Sequence, residues 1–160
     1  MLHHELLQTL AEIAVTIAAL SAVAGVVRHE ALNAVSVGLL RDVAIIGMLV
    51  ALFSMLPLIF WDDETSTPFR LSALGAAVMW LIGYGFYLRG VYEDRSQVTI
   101  VFWIGMVITV LGLGLLFACL RSDDTSSVTL YMLGMLSWLA IAGLNFVASV
   151  FARSETADEL

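Results

Sequence analysis

Three polar residues recur at helical spacing near the start of this 160-residue sequence, and one of them is ionisable. Gln8, Glu12 and Thr16 stand four residues apart, so a helix places them in one stripe along a single face. Glu12 lies in an apolar stretch, about 9 Å past its start at Leu6 if that stretch is helical. A carboxylate inside a membrane is costly and is expected to face protein or water. The stripe therefore predicts a pore lining or a subunit interface.

A second interpretation of Glu12 stays open. The first helix of the membrane could begin after Glu12, which would then lie among the lipid headgroups as an acid favoured by the helix dipole. The remaining Ile13–Val27 segment has only 15 residues, which is short for a span of about 20 residues.

Asn145 and Ser149 form a second polar pair, also four residues apart, close to the end of the last apolar stretch. An asparagine in a membrane helix most often hydrogen-bonds to a neighbouring helix, with a stabilisation of about 0.6–2 kcal/mol. The pair therefore predicts a helix–helix contact, with a pore lining as the functional alternative.

Acidic residues cluster in two of the connections between apolar stretches. If both connections lie on one side of a membrane, these acids attract cations to that side. The predicted outer acidic mouth consists of Asp62, Asp63, Glu64, Asp123 and Asp124.

The other residue types exclude several kinds of chemistry. All seven basic residues are arginines, which excludes a lysine Schiff base and a P-loop lysine. The single cysteine, Cys119, excludes an intrachain disulfide and a cysteine-based metal cluster. His3, His4 and Glu5 are consecutive and would point apart on a helix, so no metal site is expected. With no hydrolytic motif or convergent polar cluster in view, we expect no enzymatic activity, no cofactor and no nucleic-acid partner.

The amino-acid composition indicates whether the helices that hold these residues lie in water or in lipid. Apolar residues make up 61% of the chain and charged residues 13%, against about 45–50% and 25% in soluble domains. About 20 apolar residues in a helix cross a bilayer core, and lipid requires a backbone that satisfies its own hydrogen bonds. Five stretches qualify: Leu6–Val27, Val43–Phe60, Leu71–Leu88, Val98–Leu120 and Val128–Phe151. The sequence predicts an all-α polytopic membrane helix bundle, a single domain over residues 1–160.

Features between and within these spans lead to four further expectations. Polar residues recur near helical spacing over His29–Arg41, which predicts a short amphipathic helix at the membrane surface. Pro57 leaves the carbonyl of Phe53 without its usual donor, which predicts a kink near a helix end. Trp80 and Trp138 lie at mid-span and are expected in the bundle core. An aromatic belt at the span ends is predicted for Trp61, Phe69, Tyr92, Trp103 and Tyr131.

Arginine counts predict the orientation. Five spans place the termini on opposite faces, one with two arginines and the other with five. The two are Arg70 and Arg121; the five are Arg28, Arg41, Arg89, Arg95 and Arg153. By the positive-inside rule the N-terminus lies outside and the C-terminus is cytoplasmic.

Three segments give the chain a resemblance to a loose set of small bacterial inner-membrane proteins: Leu10–Ala14, Leu56–Leu58 and Tyr131–Leu136. Members of that set open with a glutamate-bearing, alanine-rich helix and have about five spans. The resemblance implies a bacterial inner-membrane location. It brings no established activity and no functional residue.

Two functions fit these observations. The first is a homo-oligomeric cation-conducting pore, because rings of carboxylates select cations and symmetry supplies a path that five helices leave little room for. The alternative is a non-catalytic accessory or structural subunit of a larger membrane complex, which faces of small residues fit equally well. The expected partners are the lipid bilayer and either further copies of the chain or other membrane subunits.

Overall fold

The computed structural model describes residues 2–27, 34–60, 66–93, 100–122 and 124–151. Each range consists almost entirely of one helix. The helices are α1 (Leu2–Val27), α2 (Ala34–Ile59), α3 (Thr67–Glu93), α4 (Ile100–Arg121) and α5 (Asp124–Phe151).

All five helices are long and apolar enough to cross a membrane. The spanning segments are His4–Val27, Val37–Ile59, Thr67–Arg89, Phe102–Arg121 and Ser126–Ser149. The predicted membrane helix bundle with five spans is confirmed, and the chain is an integral membrane protein. The third helix begins earlier than the predicted span. The backbone N–H of Arg70 donates a hydrogen bond to the carbonyl of Ser66 at 3.1 Å, and Pro68 fits the first turn of a helix.

A separate surface helix over residues 29–41 is not found. Residues 34–41 form the first turns of α2, which continues without a break, and residues 29–33 lie outside the described ranges. The polar residues at this end extend the membrane helix beyond its apolar part. No glycine or proline separates Leu39 from Val43, so the helix has no reason to stop there.

Successive helices alternate in direction, and α2 is the element that joins the two sides of the bundle. It packs closely against α1 and against α5, while α4 packs mainly against α5, and α3 is the most peripheral helix. Gly47 permits the close approach of α1 and α2. A Cβ atom there would lie 2.8 Å from the carbonyl oxygen of Ala14 and 2.9 Å from the Cβ of Ala18.

Aromatic side chains fill the core. Trp80 and Trp138 stack with their ring centroids 4.5 Å apart, and the Phe53 ring meets Trp138 edge-on at 6.2 Å. The prediction that both tryptophans are core residues is confirmed. The prediction of a belt position is wrong for Phe69 and Tyr131, which are 3% and 0% exposed and contact each other edge to face.

The buried Tyr131 side chain supplies a hydrogen bond that the backbone of another helix lacks. Its hydroxyl donates a hydrogen bond to the carbonyl of Phe53, the group that Pro57 deprives of its intrahelical donor. The ring of Phe69 in α3 packs edge to face against the ring of Tyr131, with the centroids 5.8 Å apart. Helices α2, α3 and α5 therefore meet at the Phe53 carbonyl, which Pro57 leaves without an intrahelical donor.

Candidate functional site

The polar stripe of α1 lies on the outside of the bundle. Helix α1 turns Leu7, Ala11 and Ala14 toward its neighbours, and all three are buried. Gln8, Glu12 and Thr16 stand on the adjacent face and are exposed. The hydrophobic residues on the buried side fix the helix rotation, and that rotation directs the stripe away from the core.

Hydrogen bonds within α1 link the three residues of the stripe. The Gln8 amide donates to Oε1 of Glu12 at 3.2 Å, and the Thr16 hydroxyl donates to the Glu12 carbonyl at 2.8 Å. The predicted alignment on one face is therefore present. The Thr16 hydroxyl has used its only hydrogen, so it offers acceptor lone pairs alone to any further group.

A groove of about 380 Å³ runs beside Glu12, between α1 and α2. It is open on the side away from the bundle. Its lining residues are Ala11, Glu12, Val15, Thr16, Ala51 and Met55. A single carboxylate therefore borders a mostly apolar depression in the membrane-spanning part of the molecule.

The second predicted pair lies far from the first. Tyr131 contacts Phe53, which lies between the two α2 residues that line the groove, so this part of α5 is level with Glu12. Asn145 is 14 residues further along α5, or about 21 Å at 1.5 Å per residue. Asn145 is half-buried, and the buried Ser149 donates its hydroxyl to the carbonyl of Phe146 at 2.6 Å. The structure does not bring the two polar sets together.

The predicted outer acidic mouth lies almost entirely outside the described residues. Asp62, Asp63, Glu64 and Asp123 fall in the gaps between the described ranges, and Asp124 begins α5. The mouth stays a prediction of the sequence.

A polar cluster near Arg70 has a structural explanation. The Arg70 guanidinium donates to the carbonyl of Ser122 at 2.6 Å, and the Ser122 hydroxyl donates to the carbonyl of Cys119 at 3.2 Å. Cys119 lies in the last turn of α4 and Ser122 directly follows the helix, so neither carbonyl has an intrahelical donor. A cation there also suits the negative end of the helix dipole.

Within the described ranges, no group of three metal-binding side chains is present. The centre of the bundle is occupied by large side chains that are fully buried, among them Leu116, Tyr131, Met135 and Trp138. In the groove beside Glu12, a charged group and open space coincide.

Sequence reasoning missed the α2 wall of this groove. Ala51 and Met55 carry no chemical signal in the sequence, and only the packing of α1 against α2 brings them to Glu12. No protein family, curated protein or solved structure matches this chain, so the geometry alone carries the functional argument. The resemblance to small bacterial inner-membrane proteins stays a prediction.

Proposed function

We propose that the protein forms a homo-oligomeric pathway for cations across a membrane, with Gln8, Glu12 and Thr16 of each copy at the shared axis. The observation that carries the proposal is the position of Glu12. Its side chain is exposed on the outside of the bundle, in a helix that is apolar enough to span a membrane. Contact of a carboxylate with lipid is costly, so a second protein surface and water are expected to cover it.

Packing inside the protomer favours a path between copies. The buried aromatic and aliphatic side chains of the core fill the space that a channel through one bundle would need. Closed symmetry brings the same α1 face of each copy to one axis and repeats Glu12 around it.

The charges favour cations as the transported species. None of the residues that line the groove beside Glu12 is basic. A symmetric assembly that joins this face of each copy would therefore bring carboxylates together. Such a ring selects cations, and the acidic mouth predicted from the sequence would raise their local concentration.

Orientation is part of the proposal. With the N-terminus outside and the C-terminus in the cytoplasm of a bacterial cell, the acidic mouth faces outward. Single cysteines introduced by Ser126→Cys and Ser154→Cys in a Cys119→Ser background should react with an impermeant reagent from opposite sides. Ser126 is exposed near the start of α5, and its substitute should react from outside. Labelling of both from one side would contradict the orientation.

The deciding experiment is ion flux into liposomes that contain the purified protein. We expect flux of K⁺ in excess of Cl⁻, and we expect Glu12→Gln to reduce that selectivity at least tenfold. Asp42→Asn is the matched control, because it neutralises a half-exposed carboxylate at the opposite end of the neighbouring helix, where Asp42 pairs with Arg41 at 3.7 Å. Wild-type protein that passes no ions, or that prefers anions, would refute the pathway.

The alternative function, an accessory subunit of a larger membrane complex, rests on the same exposed face. The groove between α1 and α2 is open outward and has room for a side chain from a helix of a different protein. Particle mass in detergent separates the two functions. A stable symmetric oligomer supports the pathway, whereas a monomer that passes no ions supports the subunit.

A further inference from the structure

We propose that the groove between α1 and α2 binds a lipophilic organic cation, with its charge beside Glu12 and its apolar body against the groove walls. The inference deepens the proposed pathway and rests on it, because it names the class of cation recognised at the same carboxylate. Four observations lead to it.

The polar groups that border the groove are acceptors. Glu12 contributes a carboxylate, and Thr16 has already donated its hydroxyl hydrogen to the backbone of its own helix. Of the lining residues, none carries a basic side chain. A group that offers positive charge or a donor hydrogen complements this set, whereas an anion does not.

The rest of the lining is apolar. Ala11, Val15, Ala51 and Met55 form the walls. They fit a ligand that carries hydrocarbon around its charge. The thioether of Met55 is flexible and polarisable, which lets it adapt to ligands of different outline.

Size and access agree with a small molecule. The volume of about 380 Å³ is that of an open groove, which covers one side of a small organic molecule. The groove opens away from the bundle and lies in the spanning part of α1. A membrane-soluble cation reaches it from this open side.

Within the part of the chain that the structure describes, the Glu12 side chain is oriented by an uncharged partner. Among the described residues, the Glu12 side chain accepts a hydrogen bond from the uncharged amide of Gln8 at 3.2 Å. An amide bonded to one carboxylate oxygen restrains the rotamer and leaves the negative charge to a ligand.

Binding of tetraphenylphosphonium to the purified full-length protein tests the proposal, with tetraphenylborate as a probe of the same shape and opposite charge. We expect saturable binding of the cation, no saturable binding of the anion, and at least tenfold weaker cation binding in Glu12→Gln. Asp42→Asn should bind as the wild type does. Equal binding of cation and anion, or unchanged cation binding in Glu12→Gln, would overturn the inference.

A second variant separates the groove from the charge. Ala51→Leu fills the groove and keeps the carboxylate, so it should weaken tetraphenylphosphonium binding at least tenfold; unchanged binding would place the ligand elsewhere. K⁺ flux, measured without the probe, keeps the two proposals distinct. Flux without Glu12-dependent probe binding refutes the inference alone, whereas Glu12-dependent probe binding without flux refutes the ion pathway and leaves the binding site.

Discussion

Two polar features at the same level of the bundle have opposite surroundings. Tyr131 is fully buried, and its hydroxyl completes the hydrogen bonding of the α2 backbone. Glu12 is exposed, and its carboxylate accepts a hydrogen bond from Gln8 of its own helix. The first feature holds helices together, whereas the second leaves a charge on the outer surface. Some polar residues in membrane spans therefore form hydrogen bonds that hold the helices together, whereas others are exposed on the outer surface of the bundle.

The largest effect on protomer stability should come from the core. Trp138 is 0% exposed and contacts two other aromatic rings, so Trp138→Ala leaves a large cavity. We expect the free energy of unfolding to fall by about 3–5 kcal/mol, measured by denaturant titration in mixed micelles. Trp103→Ala is the matched control, because Trp103 is 58% exposed, and its effect should stay within about 0.5 kcal/mol.

A conservative variant refines this prediction. Trp138→Phe keeps most of the ring and loses no hydrogen bond, since the indole N–H has no acceptor among the described residues. Its cost should be well below that of Trp138→Ala. An equal cost for both variants would mean that the indole itself, rather than the filled volume, stabilises the core.

The next largest effect should come from the bond between Tyr131 and Phe53. Tyr131→Phe leaves the buried carbonyl of Phe53 without a donor, which should cost about 1–3 kcal/mol. Pro57→Ala restores an N–H at the position that normally donates to this carbonyl. In the Pro57→Ala background, Tyr131→Phe should therefore cost much less. The measurement is a double-mutant cycle on the free energy of unfolding, and additive effects would contradict the compensation.

The sequence was sufficient to predict the number and type of helices, because lipid allows few alternatives to an apolar helix. It also located the carbonyl that Pro57 leaves open. It did not identify Tyr131 as the donor, because the two residues are 78 positions apart and a tyrosine at a span end is equally typical of an aromatic belt.

The predicted separate surface helix over residues 29–41 is not found, for a related reason. A window of hydropathy ends where polar residues begin, but a helix continues until its backbone meets a breaker or a cap. Arg41 and Asp42 therefore stand inside α2, although they lie at the boundary of its apolar part. The groove beside Glu12 was equally inaccessible to the sequence, because alanine and methionine at helical spacing indicate packing and nothing more.

The smallest effect on stability should come from Glu12 itself, although we expect its effect on function to be the largest. Glu12→Gln removes a charge from an exposed position and retains an amide that Gln8 is able to bond. The free energy of unfolding of the protomer should therefore change by no more than about 0.5 kcal/mol, in the same titration that measures the Trp138 and Tyr131 variants. A shift in oligomeric mass or ion selectivity without such a change would mean that the fold presents Glu12 to a partner, a ligand or water. A fall in the free energy of unfolding of about 2 kcal/mol or more, with no functional change, would mean that Glu12, like Tyr131, serves to stabilise the fold.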